Sequence, residues 1–198
     1  MTTDEKLAAI LAVVQTDPGN RGLARDPHDN LFTATKGDFQ AACRSIADDP
    51  LARLGIVTGF FIPTGEPAAF ETDGPLGAVF LSRAARHLRI PSPIATEPGC
   101  MTAISAGLAA DDCESRPVME ILREDNPDLY AGFFEMFGSF PGRYVFVEKV
   151  GPSAKTGRCL SMRGRDITEY TRPAHILIEE QTTGDWQWSD DRIPSIGI

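Results

Sequence analysis

Apolar and polar positions follow two rhythms along this chain. Leu54-Gly55-Ile56-Val57-Thr58-Gly59-Phe60-Phe61-Ile62 is a nearly unbroken apolar run, rich in β-branched and aromatic residues, and it predicts a buried strand. From Pro75 to Leu88 the rhythm turns helical: Leu76, Phe80, Ala84 and Leu88 recur at steps of four, with Leu81 and Ala85 beside them. Arg83, Arg86, His87 and Arg89 lie largely off that stripe, so the pattern predicts a helix laid on a sheet through it. The two runs are joined by Phe70-Glu71-Thr72-Asp73-Gly74-Pro75-Leu76-Gly77, in which Asp73 is suited to cap the helix and Pro75 to its first turn. Strand, polar loop, helix is where open α/β sheets place ligands, because N–H groups at a helix N-terminus point at whatever sits there.

The remaining pattern extends this alternation. Thr2-x-x-Glu5 reads as a capping box before a short helix with Leu7, Ile10, Leu11 and Val14 on one face, ended by Asp17-Pro18-Gly19-Asn20. Thr35 to Ala47 predicts a second helix through Phe39, Ala42, Cys43 and Ile46. Ile90 to Thr96 predicts a strand that Pro91 and Pro93 make short or confine to an edge. A helix over Pro98–Ala110, a short strand over Val118–Leu122, a helix over Asp128–Phe137 and a strand over Tyr144–Lys149 follow. Gly157–Gly164 reads as an extended return, Asp166–Tyr170 and Ala174–Gln181 as helical, and Ile193–Ile198 as strand-like. Residues 111–127 and 182–192 read as polar surface connections. Alternating helices and strands predict an α/β fold, a three-layer Rossmann-like domain with a mainly parallel sheet. The expected organisation is one domain over 1–198, with N-terminal helices in 3–50 and an α/β core in 51–198.

Composition narrows the function. The formal charge of −9 argues against nucleic acid and anionic membranes as partners, so an anionic substrate needs a local positive site. Cys43, Cys100, Cys113 and Cys159 are widely spaced, without Cys-x-x-Cys or histidine pairing, and are expected to be reduced structural thiols in a cytoplasmic protein. No run approaches the roughly 20 apolar residues of a membrane span, and the acidic start is unlike a signal peptide.

Dinucleotide, P-loop and zincin motifs do not occur. Ser105, in Ala103-Ile104-Ser105-Ala106-Gly107, lacks the first glycine of a nucleophile elbow and falls inside a predicted helix. His28, His87 and His175 each stand alone and read as surface residues. Glu71 and Asp73 are different: two carboxylates crowd one loop beside Thr72 and Thr58, a pattern suited to proton transfer next to a bound substrate. Glu148, at a strand end with Lys149, is a further candidate, and Arg163-Gly164-Arg165 can clamp a carboxylate or form a solvated turn.

Val57-Thr58-Gly59-Phe60 followed by Glu71-Thr72-Asp73-Gly74-Pro75-Leu76-Gly77-Ala78 resembles the signature of the C-terminal-type domain of the D-glutamate cyclase family, which is often carried by bacterial proteins. Val147-Glu148-Lys149-Val150-Gly151-Pro152, then Ser161-Met162-Arg163-Gly164-Arg165-Asp166-Ile167, is similar to a second block of that family, with Lys149 where arginine is usual. Asp17-Pro18-Gly19-Asn20-Arg21-Gly22 is similar to an early element. The resemblance implies a hydro-lyase that dehydrates D-glutamate to 5-oxo-D-proline, with Glu71, Asp73 and Glu148 as catalytic groups. It implies substrate contacts from Thr58, Gly59, Thr72, Gly74, Arg163 and Gly164. On this reading Glu71 or Asp73 handles the substrate ammonium, and Arg163 or the N–H groups of Gly74 to Leu76 bind a carboxylate. The implied partner is a small amino-acid dicarboxylate; no organic cofactor is evident, and a divalent cation and homo-oligomerisation stay open. Ile193–Ile198 resembles the lead-in to a glycine- and acid-rich loop that this chain does not contain, so either the sequence is cut there or a naturally shortened family member is expected. The alternative is a ligand-binding or regulatory α/β domain that lost this loop.

Overall fold

A computed structural model describes residues 1–16, 22, 25–110, 117–121, 142–161, 163–179 and 195–197. They fall into two compact units, Met1–Pro50 and Leu51–Ile198. The turn at Asp17–Asn20, the helix expected over Asp128–Phe137 and the connection at 182–192 lie outside the described residues.

The first unit is helical. Helix α1 (Thr3–Val14) begins with the expected capping box: Thr2 Oγ1 accepts from the Glu5 N–H at 3.2 Å, and the Thr2 N–H donates to Glu5 Oε2 at 2.7 Å. A single turn, α2 (Leu31–Ala34), precedes α3 (Asp38–Ala47). The second predicted helix thus starts at Asp38 rather than Thr35, because Gly37 takes a left-handed conformation (φ 94°) before it. Arg44 of α3 pairs with Asp4 of α1, and neither helix buries a residue within the unit.

The second unit is built on a parallel five-stranded sheet. Its strands are β1 (Leu54–Thr58), β4 (Ile94–Thr96), β5 (Val118–Glu120), β6 (Arg143–Val147) and β7 (Ser195–Gly197), in spatial order β5-β4-β1-β6-β7. Strand β1 is buried at every position, as a central parallel strand covered on both faces must be. It is shorter than the apolar run predicts. The chain leaves the sheet at Gly59, and Phe61–Ile62 (β2) pairs instead with Ala69–Phe70 (β3) in a small antiparallel hairpin. Strand β4 is short as expected but lies inside the sheet, not at an edge. Pro91 and Pro93 precede it, and their carbonyls accept hydrogen bonds from the Leu54 and Ile56 N–H groups at 2.9 Å, so the missing proline donors cost the ladder nothing on that side.

Helix α4 (Asp73–His87) and α5 (Met101–Ala109), the latter entered through a 3₁₀ turn at Pro98–Cys100, pack against each other, and α4 packs on β1 and β6. Opposite them, Val57, Ala95 and Tyr144 form a cluster with Ile121, Ala174, Ile176 and Leu177, the last two from the short helix α6 (Ile176–Glu179). The unit is therefore a three-layer α/β fold of Rossmann type. The Asp166–Tyr170 segment tightens only to a 3₁₀ turn at Thr168–Tyr170, and 157–164 returns through bridges Pro152–Cys159 and Leu160–Asp166.

The stripe expected to seat α4 is its outer face. Leu76, Phe80 and Leu88 are 55%, 56% and 70% exposed, whereas Gly74, Pro75, Ala78, Val79, Ser82 and Ala85 are buried. Small residues face the sheet because the helix lies close to it: a Cβ on Gly77 would come 3.1 Å from Val147 Cγ1. Ser82, buried, pairs its hydroxyl with Ser92 Oγ at 3.1 Å, which satisfies a polar group on that tight face.

Candidate functional site

The sheet order reverses between β1 and β6. After β1 the chain proceeds outward through β4 to β5, and β6 then adds on the other side of β1. In open α/β sheets the crevice beyond the carboxyl ends of two such strands is the ligand site. The three carboxylates singled out in the sequence meet there. Glu71 leaves the β2–β3 hairpin, with its N–H donating to the Phe60 carbonyl at 2.9 Å. Asp73 opens α4, and Glu148 follows the last residue of β6. Each offers a carboxylate oxygen, and these oxygens lie within 4.8 Å of one another.

Local backbone geometry accounts for the convergence. Glu148 has φ 46°, a left-handed conformation uncommon for a residue with a side chain, and it turns the chain out of the strand. At Gly74 the helix comes close to Thr58 of β1 and to the end of β6. A Cβ placed on it would lie 2.7 Å from Thr58 Oγ1 and 2.8 Å from Glu148 Cβ, so only glycine fits. Thr58 is fully buried, its Oγ1 has no hydrogen-bond partner among the described residues, and its carbonyl accepts from Thr96 Oγ1 at 3.1 Å. Burial raises the pKa of Glu148, and the nearby charges of Asp73 and Glu71 raise it further.

The helix N-terminus does not present the donors expected of it. Asp73 Oδ1 accepts from the adjacent Gly74 N–H at 3.1 Å, Pro75 has no N–H, and the Leu76 N–H donates to the Thr72 carbonyl at 3.1 Å. Thr72 stands at the N-cap position with helical backbone angles and makes no capping bond, and Asp73 itself is the first helical residue. The groups expected to hold a substrate carboxylate are thus already engaged. Arg163 and Gly164 lie in an exposed turn closed by the Gly164 N–H donating to the Ser161 carbonyl at 2.8 Å. Arg163 forms no ion pair with the three carboxylates among the described residues.

Beside this acidic cup lies a second charged group, of which the sequence reading noticed only Lys149. Glu97, at the end of β4, pairs with Lys149, and the two side chains are 3% and 1% exposed. The Arg172 N–H donates to Glu97 Oε1 at 2.9 Å, and its guanidinium lies 3.8 Å from Glu97 Oε2 and 3.4 Å from Glu120. Burial pulls the Lys149 pKa down while Glu97 opposes that shift, and burial raises the thiols of Cys100 and Cys159 nearby. Gly59, at φ 121°, packs against this pair: a Cβ there would come within 2.6 Å of Glu97 Cγ. The signal for Glu97 was its place directly after an apolar strand run, next to Thr96, which pairs with Thr58. An aromatic wall flanks the crevice. The Phe61 ring lies 5.0 Å from Phe70 and 5.5 Å from Tyr170, and Phe70 covers Gly99 so closely that no side chain fits there.

A sequence profile of the family D-glutamate cyclase-like, C-terminal, matches residues 10–198. The chain belongs to that family. No curated protein matches it significantly. In this D-glutamate cyclase-like domain, Cys43, Cys100 and Cys159 are free thiols, and Cys113 lies outside the described residues. Among the described residues, no helix is long and apolar enough to cross a membrane.

Proposed function

We propose that this domain is a hydro-lyase of D-glutamate cyclase type, which dehydrates D-glutamate to 5-oxo-D-proline. The observation that carries the reading is the convergence of Glu71, Asp73 and Glu148 at the switch-point crevice of a family member. Cyclisation forms a bond between the α-nitrogen and the carbon of the side-chain carboxyl and breaks one C–O bond of that carboxyl. Of the three ammonium protons, one stays on the lactam nitrogen and two leave with the oxygen as water.

The residues of the cup meet the first demand of this reaction. A carboxylate facing the ammonium attracts it and accepts its proton, and in this reading Glu71 and Asp73, close together around the start of α4, take that part. Holding the substrate folded in the crevice supplies the proximity that turns attack into an intramolecular step of high effective concentration. The second demand is to neutralise charge on the departing oxygen, which in this reading falls to a proton held by Glu148. Arg163, exposed in its turn, is offered to the other carboxylate of the substrate.

Incubation of the full chain with D-glutamate, followed by proton NMR, tests the reading. It expects 5-oxo-D-proline to accumulate, L-glutamate to be a poorer substrate, and the double variant Glu71→Gln/Asp73→Asn to lose turnover. No product from wild type, or an unchanged rate in the double variant, overturns it.

A further inference from the structure

Helix α4 buries Gly74, Ala78 and Ala85 toward the sheet and packs along α5, and it keeps a further face turned outward. That face carries Leu76, Phe80, Ala84 and Leu88, all exposed and one every four residues. At 1.5 Å a residue the row runs about 18 Å along the helix. A single exposed leucine calls for no explanation. Three large apolar side chains, each more than half exposed and aligned in one row, form a contiguous patch, and such patches mark contact surfaces. The order of sizes along the row and the charges at its two ends say what fits it.

We propose that the outer face of α4 pairs with the same face of a second copy of this chain, the two helices running antiparallel about a two-fold axis. The row reads large, large, small, large from Leu76 to Leu88. Against its own reverse, Phe80 of each copy lies over the partner's Ala84, and Leu76 meets the partner's Leu88. A parallel pair would instead set Phe80 against Phe80 and leave the two alanines facing a gap. Rows of spacing four on both helices pack at a crossing angle near 50°, the commonest class of helix contact. The charges agree with the shape. Asp73 opens the helix, Arg86 and His87 lie in its last turn, and Arg89 follows. Antiparallel pairing lays the acidic start of each helix over the basic end of the other and opposes their dipoles. Arg83, 5.9 Å from the Phe80 ring, keeps a cation at the rim of the patch. Copies of a chain with formal charge −9 repel one another in general, so a face holding both signs in self-matching order favours a second copy there. One helix pair of this length buries less than the roughly 1,200 Å² of a standard stable interface. The dimer is therefore reversible and forms with rising concentration; it is not obligate.

Sedimentation velocity of the full chain over a rising concentration series reads the association. Wild type is expected to pass from monomer to dimer and to stop there, because a two-fold contact closes on itself. Phe80→Ala leaves the partner's Ala84 facing a gap, and Ala84→Phe sets two phenylalanines against each other. Each variant alone should weaken dimerisation at least about tenfold. An equimolar mixture of the two should restore it as a heterodimer, since phenylalanine then faces alanine at both contacts. Leu88→Glu puts a carboxylate into the apolar row and should abolish association. All three positions are exposed, so circular dichroism should match wild type in every variant. Wild type that stays monomeric at millimolar concentration, or association that continues past two copies, overturns the proposal. So does a dimer that survives both Phe80→Ala and Leu88→Glu unchanged, or a mixture that associates no better than its components. None of these readouts uses 5-oxo-D-proline formation, so the interface and the reaction proposed above stand or fall separately.

Discussion

Adjacent residues on one strand end, Glu148 and Lys149, belong to charge clusters of opposite character. Lys149 turns inward to Glu97, is buried, and completes a network with Arg172 in which each charge has a partner. Glu148 turns outward through a left-handed backbone step to join Glu71 and Asp73, where its close neighbours carry its own sign. A buried, compensated group does not leave charge over for a ligand; its cost of burial is offset within the protein, and removing one partner exposes that cost. A half-open cluster of like charges is unfavourable by itself and becomes favourable only when something positive arrives. The first cluster fixes the ends of three strands, and the second uses the fixed ends.

The largest effects should separate the clusters by readout. Glu71→Gln, Asp73→Asn and Glu148→Gln are each expected to lower 5-oxo-D-proline formation by about 10²–10⁴-fold, with the unfolding temperature unchanged or raised. A rate loss that merely tracks lost stability would erase the distinction. Lys149→Met should do the reverse, costing about 3–5 kcal/mol in urea unfolding because Glu97 is left buried beside fewer charges. A stability within about 1 kcal/mol of wild type would mean that the pair is not structural.

Glycines give a smaller contrast. Gly74→Ala forces a methyl group against Thr58 Oγ1 and Glu148 Cβ and is expected to cost about 1–3 kcal/mol together with activity, whereas Gly151→Ala enters open space and should alter neither. Acid titration distinguishes Glu148 from ordinary carboxylates. Its folded pKa is raised, so between the usual glutamate value and that raised value the folded state holds more proton than the unfolded one. Its contribution is therefore stability present at low pH and lost as pH rises through this window. Glu148→Gln should flatten that fall in metal-free chemical denaturation, and a fall of equal slope in the variant would remove Glu148 as its source. The smallest effect is expected at the exposed Arg158–Asp166 pair, where Arg158→Ala should leave the unfolding curve unmoved.

The α/β alternation was legible because period-2 and period-3.6 patterns follow directly from which side chains meet water; α5 and β6 fall close to where the pattern puts them, and β1 begins where it does. The acidic loop was legible for a related reason: carboxylates beside a helix start, after a buried strand, have few structural uses. The face of α4 was not. Periodicity identifies an apolar stripe but not what it covers, and here close approach to the sheet selected the small residues Gly74, Ala78 and Ala85 over Leu76, Phe80 and Leu88. The engaged N–H groups of Gly74 and Leu76 were hidden likewise, since they depend on the rotamer of Asp73 and the backbone of Thr72.

Local chemistry in the sequence thus determined the elements, the family signature and the identity of the carboxylates, because these depend on residue type and spacing alone. Only the tertiary structure decided that Glu148, 75 residues beyond Asp73, stands beside it, that Glu97 rather than a surface group holds Lys149, and that the buried Thr58 hydroxyl has no hydrogen-bond partner among the described residues. The physical reason is strand order. Placing β6 next to β1 brings the ends of distant segments to one crevice, and no local pattern encodes which strands become neighbours.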